Sequence, residues 1–379
     1  MKVGIAYSTL DDSRRAGRMA AEEAVKSSGE PALTLLFTTD DYDQEVVYEA
    51  VKEVIGASKM AGFCAGGIVT ADGVFRQGVG VCTLSGDELR VVTSLQRGLS
   101  VDPRGAGRRA GEELLASGLD QGTVFVLPDG FAANISEVVR GLYNTMGPEF
   151  RYVGGGAGDN LRFFKTYQST ETGLASDALA VALLDGATIQ TGIGHGWKPT
   201  GDPLVITAAE GKRVFEIDGR PAFDVYSECL GGIPVDKFAE YGMRYPLGIP
   251  DISGNYLIRD PLAVNDDQSI DFVTEVPRNA VVSVMEGDVA DLIETARSVA
   301  QAAAGGVAEP QFAFLFDCIS RCLLMGEEFE RELKAIREAI GMEVPILGSL
   351  TFGEVGSYAD VPLFHNKTTV IAVGGSRKL

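Results

Sequence analysis

The feature that most constrains this chain is an order of strands and helices that occurs three times along its 379 residues. In the first copy, the strand VGIAY is followed by a helix, the strand LTLLF, a second helix and the glycine-rich stretch AGFCAGG. The copy closes with the strand VGVCTL, so the predicted unit is β-α-β-α-β-β. Strands that alternate with amphipathic helices favour sheets covered by helices, which is an α/β (α+β) class of fold.

The other two copies are recognised by the same punctuation. The second contains VVTSL, TVFVL, VGGGAGD and ALAVALL, and the third contains AVVSVM, FAFLF, LGSLTFGE and TTVIAV. An acidic residue stands where the first helix of each copy begins, because its carboxylate accepts the free N–H groups of the first turn. These residues are Asp12, Asp102 and Asp288. The three repeats are predicted to span residues 1–85, 90–185 and 280–375.

Residues 186–279 do not follow the repeating unit. Short apolar runs separated by Gly and Pro predict hairpins there, with one short helix that Pro221 opens. We therefore expect a mainly β element inserted between the second and third repeats. Two domains are predicted, one over residues 1–220 and one over residues 221–379, with the inserted element shared between them.

Composition excludes several classes of partner. Lys and Arg number 33 against 53 Asp and Glu, a formal charge of −20, which disfavours binding to nucleic acid or to anionic lipid. No run approaches the roughly 20 apolar residues that span a bilayer, and the N-terminus resembles a first strand more than a signal peptide. Five scattered cysteines without a CxxC pair favour free thiols in a reducing compartment. We expect a cytoplasmic protein.

Candidate ligand-binding residues follow the predicted strands, where loops leave backbone groups unpaired. Asp129 lies in PDGFAANIS, Asp159 and Asn160 lie in GGGAGDN, and Cys318 and Arg321 lie in DCISRCLLMG. GGGAGD is not a dinucleotide fingerprint, because a helix does not follow it directly. Its glycines either form a sharp turn or let the backbone approach a ligand.

Cys318 and Arg321 allow more than one interpretation. The Arg321 guanidinium either binds a ligand carboxylate or forms a structural ion pair. Cys318 is either a catalytic nucleophile or a small buried residue, and catalysis would need His195 or His365 to approach it in the fold. The motifs of the common hydrolases and NTPases are absent from the sequence.

The two histidines, His195 and His365, lack the spaced partners of a zinc site. Either imidazole could be an axial haem ligand, although no resident cofactor is predicted. Trp197, the only tryptophan, is either one wall of a pocket or a buried plug.

At these residues the sequence resembles the FIST family, which pairs a FIST N-terminal and a FIST C-terminal domain. The matching stretches are GGGAGDN, HGWKPTGDPLVITAAEGKRVFEIDGRPAFDVY, CISRCLLMG, GSLTFGEVG and FHNKTT, in this order along the chain. The resemblance implies a sensory module for small ligands, with amino-acid-like compounds proposed, and some members bind haem. It places six residues at family-typical positions: Asp159, His195, Trp197, Arg321, Glu354 and Asn366.

The leading hypothesis is a stand-alone sensor whose pocket forms where the strand-end loops meet the inserted element. Arg321 would hold an anionic group, Asp159 and Glu354 a cationic group, and Trp197 would supply apolar contact. The ligand is expected to be zwitterionic or anionic and amino-acid-like. The signal would pass to a separate, unidentified protein, or through a homodimer. The alternatives are an amide or lactam hydrolase that uses Cys318, and a haem-based nitric oxide sensor.

Overall fold

The first repeating unit supplies four strands of one sheet and two helices that cover the outer face of that sheet. In this computed structural model, which describes residues 1–251, 254–358 and 360–376, both helices of the unit begin at an aspartate. Asp12 accepts the N–H of Arg15, and Asp43 accepts the N–H groups of Glu45 and Val46. The elements are β1 (Lys2–Ser8), α1 (Ser13–Ser28), β2 (Leu33–Thr39), α2 (Gln44–Ile55), β3 (Lys59–Ala65), β4 (Ile68–Thr70), β5 (Gly73–Phe75) and β6 (Val79–Ser85).

The second unit repeats this order. Asp102 caps its first helix by accepting the N–H of Gly105, and Pro103 occupies the first turn, as the sequence predicts. The elements are β7 (Arg90–Arg97), α3 (Pro103–Leu115), β8 (Gly122–Pro128), α4 (Ile135–Met146), β9 (Phe150–Gly155), β10 (Gln168–Thr170), β11 (Gly173–Ala175) and β12 (Ala178–Asp185).

The third unit begins with β13 (Ala187–Gly194) and is then interrupted by a long, mainly β segment. We refer to residues 195–287 as the insert. Its elements are β14 (Lys198–Glu210), β15 (Arg213–Ile217), β16 (Arg220–Pro221), α5 (Ala222–Cys229), α6 (Phe238–Arg244), β17 (Leu247–Pro250), β18 (Tyr256–Arg259), β19 (Pro261–Val264), β20 (Ile270–Phe272) and β21 (Val281–Glu286). The insert strands form a sheet of their own.

The third unit then resumes after the insert. Asp288 caps its first helix by accepting the N–H of Ala290, as predicted. The remaining elements are α7 (Val289–Gly305), β22 (Phe312–Cys318), α8 (Ile319–Met325), α9 (Phe329–Ile340), β23 (Ile346–Thr351), β24 (Glu354–Ser357), β25 (Pro362–His365) and β26 (Thr369–Ser376).

The start of the third unit differs from the sequence prediction. AVVSVM, at β21, was expected to be its first strand, but β21 pairs with β14 and β17 inside the insert. The edge position of the third sheet belongs to β13, which pairs with β26. β21 is the more apolar of the two strands, and it alone directly precedes the Asp-capped helix. Local pattern therefore could not identify which strand pairs with β26, about 175 residues beyond β13 in the chain.

The strand orders of the three sheets confirm the threefold repeat. The sheets read β1-β6-β2-β3-β10-β11, β7-β12-β8-β9-β24-β25 and β13-β26-β22-β23-β4-β5. In each, the first four strands come from one unit in the same spatial order. The neighbours β2 and β3, β8 and β9, and β22 and β23 run parallel, which is the pairing that a β-α-β crossover produces.

A short hairpin that the sequence analysis did not resolve completes each sheet, and it comes from another unit. Hairpin β4–β5 of the first unit joins the third sheet, β10–β11 of the second joins the first, and β24–β25 of the third joins the second. This cyclic exchange makes every sheet depend on two units. It also carries the turn after β3, β9 or β23 of each unit towards its neighbour.

The inner faces of the three sheets share one apolar core. Phe37 of the first sheet lies edge-on to Phe316 of the third at 5.9 Å between ring centres, and Phe125 of the second lies edge-on to Phe314 at 5.4 Å. Separate apolar clusters join each helical pair to the outer face of its own sheet, and the insert has a further core. The predicted amphipathic helices therefore do cover sheets.

Candidate ligand-binding site

The glycine-bearing turns that follow β3, β9 and β23 meet at one place in the molecule. The N–H of Gly66 donates to the Leu350 carbonyl at 2.9 Å, and the N–H of Phe352 donates to the Gly156 carbonyl at 3.0 Å. Glycine is needed at this approach, since a β-carbon on Gly158 would lie 1.8 Å from the Phe352 ring. The turns converge as predicted, but they bond directly to one another, and the enclosed space lies to one side of them.

A cleft of about 250 Å³ opens beside the third turn, between the third unit and the insert. We refer to it as the insert cleft. Its walls are mainly apolar, with four polar side chains among them, which is the usual composition of a small-ligand pocket. It is lined by Leu161, Phe163, Ala239, Met243, Asp260, Pro261, Leu262, Val273, Cys318, Ile319, Ser320, Leu323, Phe352, Gly353 and Asn366.

A larger groove of about 570 Å³ lies where β2 ends, next to Asp40, Gln44 and Arg162. Most of its lining residues are polar or charged, and several of the carboxylates have solvent access. Small-ligand sites instead combine apolar walls with a few placed polar groups. The insert cleft is therefore the better candidate despite its smaller volume.

One wall of the insert cleft is the loop between β9 and β10, and Asp159 shapes this loop. The buried Asp159 carboxylate accepts the N–H groups of Arg162 at 2.9 Å and Phe163 at 3.0 Å through Oδ1. Its Oδ2 accepts the N–H of Phe164 at 2.9 Å. Both oxygens are thus bonded to the loop backbone, and Asp159 itself does not appear among the cleft-lining residues.

The neighbouring Asn160 ties the same loop to the end of β2. Its N–H donates to Asp40 Oδ1 at 3.2 Å, and its Nδ2 donates to Asp41 Oδ2 at 2.9 Å. Arg162 forms an ion pair with Asp40 at 2.6 Å. The predicted residues Asp159 and Asn160 therefore support the wall of the insert cleft from behind.

The cleft-facing side of this loop is aromatic. The Phe163 ring lies 5.6 Å from Phe352 and 5.4 Å from Phe131, and the latter two are 5.2 Å apart. Phe163 and Leu161 both have positive φ, a strained conformation for bulky side chains that the Asp159 bonds help to hold. This aromatic cluster joins the loop of the second unit to the turn of the third.

The polar end of the insert cleft is built around Asp260, which the insert supplies between β18 and β19. The Ser320 hydroxyl donates to Asp260 Oδ2 at 2.8 Å, and Lys367 Nζ forms an ion pair with Oδ1 at 3.0 Å. Lys367 is completely buried and also donates to the Met243 carbonyl at 3.0 Å. The carboxylate therefore faces the cleft while its cation stands behind it.

Asn366 is the second polar group of this end, and the sequence analysis had selected it. Its Oδ1 accepts the Thr274 hydroxyl at 2.6 Å, and its Nδ2 donates to the His365 carbonyl at 3.1 Å. An amide nitrogen carries two N–H donors, so one hydrogen remains for another acceptor. Asn366 can therefore offer a donor to a molecule in the insert cleft.

The thiol of Cys318 also lines the cleft. Burial raises the pKa of this thiol far above its usual value, and the neighbouring carboxylates Glu354 and Asp260 raise it further, with Lys367 acting in the opposite direction. A thiol with a raised pKa is protonated at neutral pH and is a poor nucleophile. The S–H interacts with the Glu354 carboxyl, so the cleft meets a protonated, weakly polar sulfur at this position.

Glu354 lies behind Cys318 and is fully buried. It accepts the Thr351 hydroxyl at 2.7 Å and the N–H of Thr368 at 3.2 Å. Burial raises the pKa of the Glu354 carboxyl well above its usual value, and the charge of Asp317 adds to the effect. Glu354 thus belongs to the packed interior next to the cleft.

Arg321, expected to bind a ligand anion, is buried in an ion-pair cluster of its own. Its Nε lies 3.0 Å from Asp317, and one terminal nitrogen lies 2.6 Å from Glu332. The other donates to the His195 carbonyl at 2.5 Å. We refer to Arg321, Asp317 and Glu332 as the arginine cluster. It does not line the insert cleft, so the geometry favours the structural interpretation of Arg321.

Trp197 is buried against two cations of the interior, Arg321 and Lys367. Its indole N–H donates to the Arg244 carbonyl at 3.1 Å. The Arg321 guanidinium lies 5.8 Å from the ring centre, and Lys367 Nζ lies 5.6 Å from it, both within cation–π range. Of the two predicted roles, plug and pocket wall, this placement favours the plug.

Both histidines lie outside the cleft lining. Burial, with the charge of Arg321, lowers the pKa of His195 to about 4, and its Nδ1 accepts the N–H of Trp197 at 3.0 Å. Burial lowers the pKa of His365 to about 3, and its Nε2 lies 3.1 Å from the Gly356 carbonyl. Both imidazoles are therefore neutral near pH 7, and neither is positioned beside Cys318 in the cleft wall.

Asp129, the remaining predicted residue, lies where β8 ends. Its Oδ1 accepts the N–H of Phe131 at 3.0 Å, and its Oδ2 accepts the N–H of Asp177 at 3.2 Å. These bonds order the loop that carries Phe131 into the aromatic cluster. Asp129 thus supports the cleft wall indirectly, through Phe131.

Two polar residues of the cleft, Asp260 from the insert and Ser320 from α8, were not among the predicted site residues. Asp260 stands in IRDPLAV, where an aspartate before a proline indicates a turn and nothing more. Ser320 was passed over within CISRC because Cys318 and Arg321 carry the more distinctive chemistry. A weak signal did exist, since Asp260 interrupts two apolar strands of the insert.

Among the helices described, none combines the length and the apolar character needed to cross a membrane.

Comparison with known protein families matches most of this chain to two family domains. Residues 32–220 match the FIST N domain, and residues 222–357 match the FIST C domain. An uncharacterized protein of Methanocaldococcus jannaschii is 23% identical, and the match covers 93% of this chain and 75% of that protein. An uncharacterized protein of Mycobacterium tuberculosis is 25% identical, and the match covers 98% of this chain and 99% of that protein.

Among solved structures, the structure of PurLQS from Thermotoga maritima matches at 9% identity, covering 99% of this chain and 72% of the matched chain. The TM-score is 0.24, which is too low to support an argument about fold or function.

Proposed function

This chain belongs to the FIST family, and from that premise we propose that it is a sensory protein that binds one small ligand in the insert cleft. FIST domains are generally regarded as small-ligand sensory domains. We further propose that the ligand is amino-acid-like in size and that the signal passes to a separate partner protein. A homodimer remains the second possible route for the signal.

The observation that carries this proposal is the composition of the cleft walls. They come from the loop of the second unit at Phe163, the turn of the third unit at Phe352 and the insert at Asp260. A ligand that contacts all three would bias their relative positions, which is what a sensor requires of its ligand. A dry cavity of about 150 Å³ accommodates benzene, so about 250 Å³ has room for a somewhat larger molecule.

A thermal-shift screen of small amino acids, amides, amines and carboxylates tests the proposal. A ligand at 100 times its Kd raises the free energy of unfolding by about 2.7 kcal/mol. Ala239 lies exposed at the cleft mouth, so Ala239→Phe is expected to abolish the shift with little change in the stability of the free protein. Ala290→Phe, at an exposed position of α7 outside the cleft lining, is the matched control and should retain it.

Two results would count against the proposal. One is a well-folded protein that shows no shift with any compound of the screen. The other is a shift that survives Ala239→Phe, which would place the ligand elsewhere.

A cysteine-dependent amide or lactam hydrolase is a second candidate function, because Cys318 lies on the cleft wall. Its support is weaker, since burial raises the pKa of the thiol and neither histidine lines the cleft. The haem alternative depends on His195 or His365, both of which are engaged with backbone groups outside the cleft lining.

A further inference from the structure

We infer that the ligand of the insert cleft enters with an uncharged N–H-bearing polar end, of the amide type, and that Asp260 selects it against carboxylates. The inference rests on the proposed function, because it assigns the ligand class of the same cleft. It replaces the expectation that Arg321 would hold an anionic ligand group.

The charge that faces the cleft is negative. Among the described residues that line it there is one ionisable side chain with a formal charge, the Asp260 carboxylate, and no Lys, Arg or His. Lys367 is completely buried behind Asp260, and Arg321 is bonded within the arginine cluster. A ligand carboxylate would therefore bring acceptor oxygens against the acceptor oxygens of Asp260, with no accessible cation to pair with.

Asp260 already forms an ion pair with Lys367. Lys367 Nζ lies 3.0 Å from Oδ1, so the pair is close to neutral as a unit. A ligand ammonium beside Asp260 would stand within a few ångströms of the Lys367 ammonium in a site of low dielectric. An uncharged donor avoids this repulsion and still uses the carboxylate as an acceptor.

Asp260 and Asn366 both keep hydrogen-bonding positions that the protein does not fill. A carboxylate offers about four acceptor positions, and the structure fills two of those on Asp260, one with Ser320 and one with Lys367. Asn366 keeps one N–H for an acceptor. An amide supplies a donor for the first and a carbonyl for the second, whereas a carboxylate supplies acceptors alone. The apolar walls then take the body of the ligand.

The test compares probes that share a body and differ at the polar end. Hexanamide, hexanoate and hexylamine form one set, and 3-phenylpropanamide and 3-phenylpropionate form another, each titrated into the full chain and followed by calorimetry. We expect each amide to bind at least about tenfold more tightly than its carboxylate, and hexanamide to bind more tightly than hexylamine.

A charge-neutral variant assigns the selectivity to Asp260. Asp260→Asn combined with Lys367→Met removes both charges and avoids a lone buried lysine, and it should reduce the preference for amide over carboxylate to less than about threefold. Lys198→Met combined with Asp291→Asn removes an exposed ion pair outside the cleft lining and, as the matched control, should keep the preference. If the double variant does not fold, the wild-type titrations still test the preference for an amide over a carboxylate and an amine.

The outcomes separate this inference from the proposed function. A carboxylate that binds as tightly as its amide, or hexylamine that binds more tightly than hexanamide, overturns the inference and leaves the proposed ligand site in place. An amide preference that persists in the folded double variant overturns the role of Asp260. If no probe binds, the inference falls, and the thermal-shift screen with Ala239→Phe tests the proposed function separately.

Discussion

Two buried cations lie against the same tryptophan, yet they belong to two different kinds of site. Arg321 and Lys367 each lie within 6 Å of the Trp197 ring centre. Arg321 is enclosed by Asp317 and Glu332 in the arginine cluster, with no contact to the insert cleft. Lys367 pairs with one carboxylate, Asp260, whose other side faces the cleft.

The difference teaches how to separate a structural ion pair from a recognition group. In the arginine cluster one cation is paired with two fully buried carboxyls, and burial raises the pKa of both, so no charged group of the cluster faces an open space. In the Lys367 pair, the carboxylate keeps free acceptor positions on an open wall. A charged group can bind a ligand when its ion-pair partner lies on the side away from the cavity. The sequence motif around the group does not determine this.

The largest expected effect is on the arginine cluster. Arg321→Met leaves the buried groups Asp317 and Glu332 without their cation, and it should lower the free energy of unfolding by about 3–5 kcal/mol in urea titrations. Arg297→Met removes a surface ion pair with Glu338 and should cost less than about 1 kcal/mol. A loss below about 1 kcal/mol for Arg321→Met would show that the cluster is not structural.

A smaller loss is expected at Lys367. Lys367→Met should lower the free energy of unfolding by about 2–3 kcal/mol, because Asp260 keeps its bond to Ser320 and can be hydrated through the cleft. Adding Asp260→Asn should recover at least half of this loss, measured as a double-mutant cycle. If Lys367→Met is as costly as Arg321→Met, the two sites are equally closed and the comparison fails.

The histidines beside the two cations predict the dependence of stability on pH. The pKa of His195 is lowered to about 4 and that of His365 to about 3, so the unfolded chain, with values near 6.5, binds their protons first as the pH falls. The two histidines do not affect the free energy of unfolding above about pH 7. Below about pH 6.5 the unfolded chain binds their protons and the folded protein does not, so each histidine lowers the free energy of unfolding, by about 2 kcal/mol at pH 5.

Each of the variants His195→Gln and His365→Gln should therefore lose about 2 kcal/mol less stability than the wild type between pH 7 and pH 5, in urea titrations at both values. Below pH 4, His365 is the one of the two histidines that should still add to the loss of stability. Equal slopes in wild type and variants would mean that the imidazoles are accessible to protons in the folded protein.

The smallest effect concerns the reactivity of thiols and leaves stability unchanged. Cys318 should react with iodoacetamide at pH 8 at least about tenfold more slowly than the exposed Cys229, because burial and two neighbouring carboxylates keep the Cys318 thiol protonated. Peptide mass analysis over time provides the two rates. Rapid labelling of Cys318 would show that the Lys367 charge dominates its surroundings, and the hydrolase alternative would gain support.

Much of the fold could be predicted, since its signals are local. The Asp12, Asp102 and Asp288 caps and the apolar periodicity identified the helices and the threefold repeat. The exchange of hairpins and the pairing of β13 with β26 could not be predicted, because every apolar strand of this length can pair with several others.

The candidate site was predicted less completely. Cys318 and Asn366 were selected and do line the insert cleft, while Asp159, Asn160 and Asp129 were selected and instead order the loops of its wall. The roles for ligand binding remain predictions in every case. The sequence motif drew attention to Arg321, and Asp260 carried no motif at all.

By itself, the sequence determined that this chain folds as repeated sheet-and-helix units with an inserted β element, because caps, turns and apolar periods act over a few neighbouring residues. Only the tertiary structure decided which charges face an open space. That choice depends on contacts between groups far apart in the chain, such as Asp260 and Lys367, and on which side of each carboxylate its partner stands.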